Sequence, residues 1–135
     1  MSSEKYKLLY FVSEDEYFIS HKIEQVRDAL KNNIDVLVVT KFKKKEKQIL
    51  DAGFKTKHID IDRKSINPIK EFLCILKLVT IIFKFKPNII QANALKPILY
   101  ISLISNFLSK KTKIILCVVG LGYLFIKKSK TNFLI

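Results

Sequence analysis

A chain of 135 residues is long enough for one domain with its own core and too short for two ordinary domains joined by a linker. Hydrophobic residues make up 49% and charged residues 27%, which excludes a disordered tail or a fibrous repeat, and two cysteines exclude a disulfide framework. The net charge of +13 is uneven: residues 1–40 hold 5 basic and 7 acidic groups, residues 41–87 hold 13 and 5, and residues 88–135 hold 7 and none.

Apolar, β-rich runs occur at Leu8–Val12, Val36–Val39, Lys57–Ile61, Asn88–Ile90 and Lys113–Val119, and a helix-like stretch follows each of the first four. Behind the first run, Ile19, Ile23, Val26 and Leu30 share one helical face. Behind the second, Phe42, Ile49 and Leu50 fall in a Lys-rich surface helix that Gly53 ends with a left-handed cap. Behind the third, Asn67-Pro68 reads as an N-cap and first-turn pair, and Lys86-Pro87 stops the helix. Lys70, Lys77 and Lys84 recur there at a spacing of seven, predicting a narrow basic stripe beside a wide buried face. Behind the fourth, Lys96-Pro97 opens a helix carrying Ile98, Ile101 and Leu108.

Strands that read as continuous apolar runs are buried on both faces, and strand–helix–strand repeats require right-handed parallel crossovers. The expected fold class is α/β, a single Rossmann-like, doubly wound parallel sheet. Ligands of such sheets sit beyond the carboxyl ends of the strands, which singles out loops 13–20, 40–42, 62–67, 91–96 and 119–125. The uncharged stretches Pro97–Ser109 and Ile114–Ile126, 13 residues each, fall short of the roughly 18–20 needed to span a bilayer.

The first loop carries Glu14, Asp15 and Glu16 where a dinucleotide fold would place a glycine cradle, and three acids repel a pyrophosphate. NAD and FAD are thereby excluded. The same acids also complement the dipole of the helix they precede. His21 comes after Ser20 at the start of that helix, where an imidazole can serve as base, acid or hydrogen-bond donor. His58 falls inside a strand pattern and reads as structural, while Cys74 and Cys117 read as inert core thiols. Nothing has zinc-ligand spacing, and neither metal nor cofactor is expected. Gly120 and Gly122, two of the chain's three glycines, come after the last strand, as a turn or as a loop that lets a substrate approach closely.

The order strand, Glu-Asp-x-Tyr-Phe-x-Ser-His-Lys, helix, then Ala94-Leu95-Lys96-Pro97 and Gly120-Leu121-Gly122-Tyr123-Leu124-Phe125 resembles the acceptor-side, N-terminal domain of group 4 glycosyltransferases of the two-domain GT-B type. It is most similar to bacterial enzymes of capsule, O-antigen and lipid-linked oligosaccharide assembly. Two departures are Glu16 and Lys22, where the family usually has Trp and Arg; Gln91 and Asn93 stand where some members carry His. The resemblance implies that residues 1–126 form the acceptor-side domain, that 127–135 are the start of a further helix or a frayed tail, and that the donor-binding domain is absent.

The same resemblance implies glycosyl transfer from a nucleotide diphosphate sugar to a lipid-linked or polysaccharide acceptor, without an essential metal. Glu14, Asp15, Ser20 and Lys22 would line the cleft from one side, and Lys96, Gly120 and Gly122 from the other. His21 would stand close to the acceptor and Lys96 would stabilise phosphate charge. The chain alone is expected to be inactive. Its basic field favours an anionic partner, here the inner face of the cytoplasmic membrane. A basic non-catalytic partner of a separately encoded donor domain is the alternative; nucleic acid is disfavoured, because the lysines are not interleaved with exposed aromatics and no recognition motif occurs.

Overall fold

The computed structural model describes residues 5–62 and 67–118. The chain runs β1 (Lys7–Glu14), α1 (Asp15–Tyr17), a π-helical turn (Phe18–Lys22), α2 (Ile23–Lys31), β2 (Asp35–Lys41), α3 (Glu46–Asp51), β3 (Lys55–His58), α4 (Pro68–Phe85), β4 (Ile89–Asn93), α5 (Leu95–Ile104), a 3₁₀ turn (Ser105–Phe107) and β5 (Lys113–Cys117). The five strands pair in parallel in the order β3-β2-β1-β4-β5. The first three strands are laid outward in one direction and the last two in the other. The order therefore reverses between β1 and β4, and in sheets of this kind ligands bind at the carboxyl ends of the strands beside such a reversal.

Side-chain alternation divides the core into two layers. Leu9, Phe11, Leu37, Val39, Ile90 and Ala92 face α4 and α5, packing on Leu78, Ile82 and Ile101. Tyr10, Val12, Val36 and Val38 face the opposite layer, on Phe18, Ile23, Val26, Ile49 and Phe54. The expected doubly wound sheet is what forms, because the central strands β1 and β2 are apolar at consecutive positions and buried on both sides.

Local signals place most boundaries. The Asn67 side chain accepts from the backbone N–H of Ile69 and Lys70 and Pro68 takes the first turn, so α4 starts as predicted. Lys86 adopts a left-handed φ of 54° ahead of Pro87 and ends it. Gly53, at φ 104°, comes after α3 as its cap.

Four expectations need correction. The third strand is Lys55–His58, not Lys57–Ile61: it pairs only with β2, and the fully buried Ile59 and Ile61 lie beyond it, under α4. The apolar pattern there reported burial rather than ladder position. The second helix starts at Glu46, leaving Phe42 in a loop and Leu50 half exposed. The first helix is interrupted by the π turn. On α4 the apolar face expected to be buried is wider than the core it meets, and Ile69, Phe72, Leu73, Leu76 and Phe83 are exposed. The segment after residue 118, with Gly120, Gly122 and Lys127–Ile135, lies outside the described residues.

Candidate functional site at the carboxyl edge of the sheet

β1 and β2 pair regularly from Lys7 to Phe11, then shift register before Glu14 meets Lys41. An irregularity of this kind bends the strand end and re-aims the segment beyond it. In this chain that segment is the acidic loop, and it turns inward. Asp15 is fully buried, and its Oδ2 accepts backbone N–H groups from Lys43 at 2.8 Å, Lys44 at 3.1 Å and Lys45 at 2.9 Å. Burial alone would push its carboxyl up; the converging N–H groups win and hold it below the ordinary aspartate value. Asp15 thus acts as a staple between the β1 and β2 loops, with Oδ2 occupied inside the protein.

The other acidic and polar residues of this loop remain near the surface. Glu14 lies 3.8 Å from the Lys43 ammonium, at the long end of an ion pair. Ser20 and His21 are exposed and Lys22 half-buried, all within the π turn. The His21 ring stacks on Tyr17, with centroids 4.9 Å apart and planes 20° from parallel. A π turn widens the helix by one residue and recurs at functional sites. Here it sets the Tyr17–His21 pair on the edge.

Across the switch point, Ala94 joins β4 to α5 with φ 79° and ψ 163°, a region that glycine alone enters freely. Its N–H donates to the Cys117 carbonyl, tying β4 to β5, and no side chain caps the helix that starts here. The Lys96 ammonium pairs with Glu71 of α4 at 2.6 Å and donates to the Asp62 carbonyl. The other Glu71 oxygen accepts from the Tyr100 hydroxyl. Burial first, then that bond, push the Tyr100 phenol well above its ordinary value. Lys96 therefore stands in the first turn of α5 with its charge balanced by an acid that the sequence reading did not associate with it.

A second charged cluster ends β2 and β3. Asp60 pairs with Lys41 at 3.2 Å and Lys70 at 3.5 Å, and the Lys41 hydrogen bond holds its carboxyl below the usual range. His58 is structural, as read: its Nδ1 accepts from the backbone of Phe42. Cys74 is buried and donates to the Asp60 carbonyl, and burial pushes its thiol up. Among the described residues no cluster of three His, Cys, Asp or Glu could hold a metal.

Sequence reasoning missed a row of buried polar groups. Ser13, Thr40 and Asn93, one near the carboxyl end of each of β1, β2 and β4, are at most 7% exposed, and their side-chain polar atoms have no hydrogen-bond partner among the described residues. The Tyr10 hydroxyl is also buried, beside the Asn93 side chain but outside good hydrogen-bond geometry, and burial pushes its phenol well up. An unpaired buried polar group costs about 1–3 kcal/mol. The signal was present in Val12-Ser13, Val39-Thr40 and Ala92-Asn93, where each apolar run ends on a hydrogen-bonding side chain.

Residues 7–135 match the family model described as glycosyl transferase 4-like. Among solved structures, the chain is similar to a glycosyltransferase from Rickettsia africae ESF-5, with a TM-score of 0.65 and 15% identity. The match covers 98% of this chain and 35% of that one, so this chain spans about a third of its length. No curated protein matches the chain in sequence.

Proposed function

Because the chain belongs to the glycosyl transferase 4-like family, we propose that residues 1–126 form the acceptor-side domain of an enzyme that moves a sugar from a nucleotide diphosphate sugar to a lipid-linked or polysaccharide acceptor in cell-envelope assembly. The observation that supports this reading is the parallel switch point, near which Ser13, Thr40 and Asn93 are buried with no hydrogen-bond partner among the described residues. Buried hydroxyl and amide groups at a strand-order reversal suit a polyhydroxylated ligand, whose bonds would satisfy them.

The residues take distinct roles. His21, backed by Tyr17, faces the acceptor, where an imidazole can take or share a hydroxyl proton. Glu14, Ser20 and Lys22 line the same side of the cleft. Asp15 shapes it from within, by fixing the β2 loop. Lys96, oriented by Glu71, brings positive charge toward the diphosphate that departs from the donor, an effect that strengthens as water leaves the cleft. A second domain, in this chain's own continuation or separately encoded, supplies the donor-binding wall.

No helix among the described residues is long and apolar enough to cross a membrane. The reading puts the protein at the inner face of the cytoplasmic membrane, held by its lysines. The purified 135-residue chain, incubated with nucleotide sugars and a short-chain isoprenyl diphosphate-linked N-acetylglucosamine, is expected to bind the acceptor and transfer nothing. Robust transfer by the chain alone would contradict the half-enzyme reading.

A further inference from the structure

A strand at the edge of a sheet keeps a row of main-chain donors and acceptors that no neighbour has taken. Among the described residues, β3 pairs with β2 alone. Successive residues of a parallel strand turn their N–H and C=O groups alternately to one side and the other. The N–H of Ile59, just past β3, donates to the Thr40 carbonyl of β2 at 3.0 Å. The main-chain groups of Lys55 and Lys57 therefore face β2, and those of Thr56 and His58 face the open edge.

That edge is a slot rather than a bare flank. A groove of about 630 Å³ runs beside β3, walled by Leu50 of α3 on one side and by Lys77, Ile81 and Lys84 of α4 on the other. Both helical layers thus reach past the last strand. Lys55 and Lys57 pair with Leu37 and Val39, whose side chains face α4, so both lysines stand on the α4 side of the groove. Thr56 points the other way, where its hydroxyl donates to Glu46.

The charge of the groove is positive and mostly uncompensated. Lys55 pairs with Asp35 at 2.8 Å. Among the described residues, Lys57, Lys77 and Lys84 pair with no acid, and no acid lines the groove. Asp60 and Glu71 are engaged elsewhere, by Lys41 and Lys70 and by Lys96, at the start of α4. Lysines on an edge repel a basic or identical strand, and a second copy of β3 would set Lys55 and Lys57 against like charges. The same lysines attract an acidic one.

We infer that the free edge of β3 takes up an extended acidic segment of another polypeptide, which adds to the sheet as a sixth strand. Its main chain bonds to Thr56 and His58. Because side chains alternate along a strand, acidic residues meet Lys57, Lys77 and Lys84 on the α4 side while apolar ones rest on Leu50 on the α3 side. With only two outward-facing residues in β3, the contact is weak by itself, with a dissociation constant on the order of 10–100 μM. The site is on the flank of the sheet, away from the carboxyl edge. It stands apart from the sugar-transfer reading, and a partner held there leaves the carboxyl edge open.

The test is a ¹H–¹⁵N correlation titration of the 135-residue chain with an acetylated, amidated peptide of three Glu-Val repeats. Shifts are expected at Thr56 and His58 and around Lys77 and Lys84, together with slower amide exchange at Thr56 and His58. A peptide of the same composition with its acids in one block, Glu-Glu-Glu-Val-Val-Val, cannot alternate and should bind about tenfold more weakly, as should three Lys-Val repeats. Lys77→Glu with Lys84→Glu should weaken binding of the Glu-Val peptide by about tenfold. Thr56→Pro removes one outward N–H and spares the bonds to β2, a placement that edge strands tolerate, and should weaken it comparably. Lys77, Lys84 and the β3 edge are at the surface, and a melting curve close to that of the unmodified chain identifies folded variants. Equal binding of the blocked and alternating peptides, or shifts that leave β3 unmoved, would overturn the inference. So would the same shifts produced by inorganic phosphate at equal concentration, or sedimentation showing that two copies of the chain join through this edge. Binding of a saccharide acceptor at the carboxyl edge of the Lys77→Glu, Lys84→Glu variant reads the sugar-transfer proposal independently.

Discussion

Asp15 Oδ2 lies 2.8 Å from the backbone nitrogen of Lys43, across 28 positions of sequence, and two further amides converge on the same oxygen. A residue that sequence alone sets among the cleft acids is thereby the clamp that holds the β2 loop against β1. Its carboxyl is held below the ordinary value in the folded chain, so its stabilisation is fully present above pH about 4–5 and is lost as pH falls through the folded value. Asp15→Asn keeps an acceptor but loses the charge. It should cost about 1–2 kcal/mol at neutral pH and make stability less dependent on pH below 5, as measured by urea unfolding across a pH series.

The pairing of Lys96 with Glu71 joins α5 to α4 in a poorly solvated place, since the two side chains are 17% and 19% exposed. Glu71→Gln leaves that ammonium without its counter-charge and takes a charged acceptor from Tyr100. A loss of about 1–3 kcal/mol is expected. Adding Lys96→Gln should recover part of it, and a double-mutant cycle by chemical denaturation measures the coupling.

Backbone strain is concentrated at Ala94, whose φ of 79° and ψ of 163° cost a Cβ-bearing residue about 1–3 kcal/mol. Glycine relieves the strain but loses more chain entropy on folding. Ala94→Gly should therefore raise stability by about 1 kcal/mol, a melting temperature higher by roughly 3–5 °C in circular dichroism.

Asn93 is fully buried, and neither amide atom has a well-formed hydrogen bond among the described residues. Replacing it by leucine removes that penalty, so Asn93→Leu should be neutral or stabilising by up to about 1 kcal/mol. Affinity for the isoprenyl diphosphate-linked N-acetylglucosamine should fall about tenfold, by calorimetric titration. Stability and binding moving in opposite directions distinguishes a ligand-binding group from an ordinary core residue.

The sheet was legible because its signals are local and repeated. Continuous apolar runs such as Val36–Val39 dictate burial on both faces, Asn67-Pro68 dictates a helix start, and Gly53 a helix end. The hidden features depend on contacts between distant segments. The Asp15 clamp needs the β2 loop 28 residues away, and Glu71 meets Lys96 only after α4 has crossed the sheet. The outer face of α4 misled for another reason: period alone cannot tell an apolar face turned to the core from one turned outward. Ile69–Phe85 carries apolar residues on both. Of the site residues expected, His21, Ser20, Lys22, Glu14 and Lys96 come from loops or helix starts at the carboxyl edge, whereas Gly120 and Gly122 fall outside the described residues.

The proposed function requires that a saccharide acceptor bind at the carboxyl edge. A ¹H–¹⁵N correlation titration of the 135-residue chain with the isoprenyl diphosphate-linked N-acetylglucosamine tests it most directly. Progressive shifts at Ser13, Glu14, His21, Thr40, Asn93 and Ala94 are predicted, with β3 unmoved. An unchanged edge, with shifts confined to Lys55–His58 or absent altogether, would contradict it.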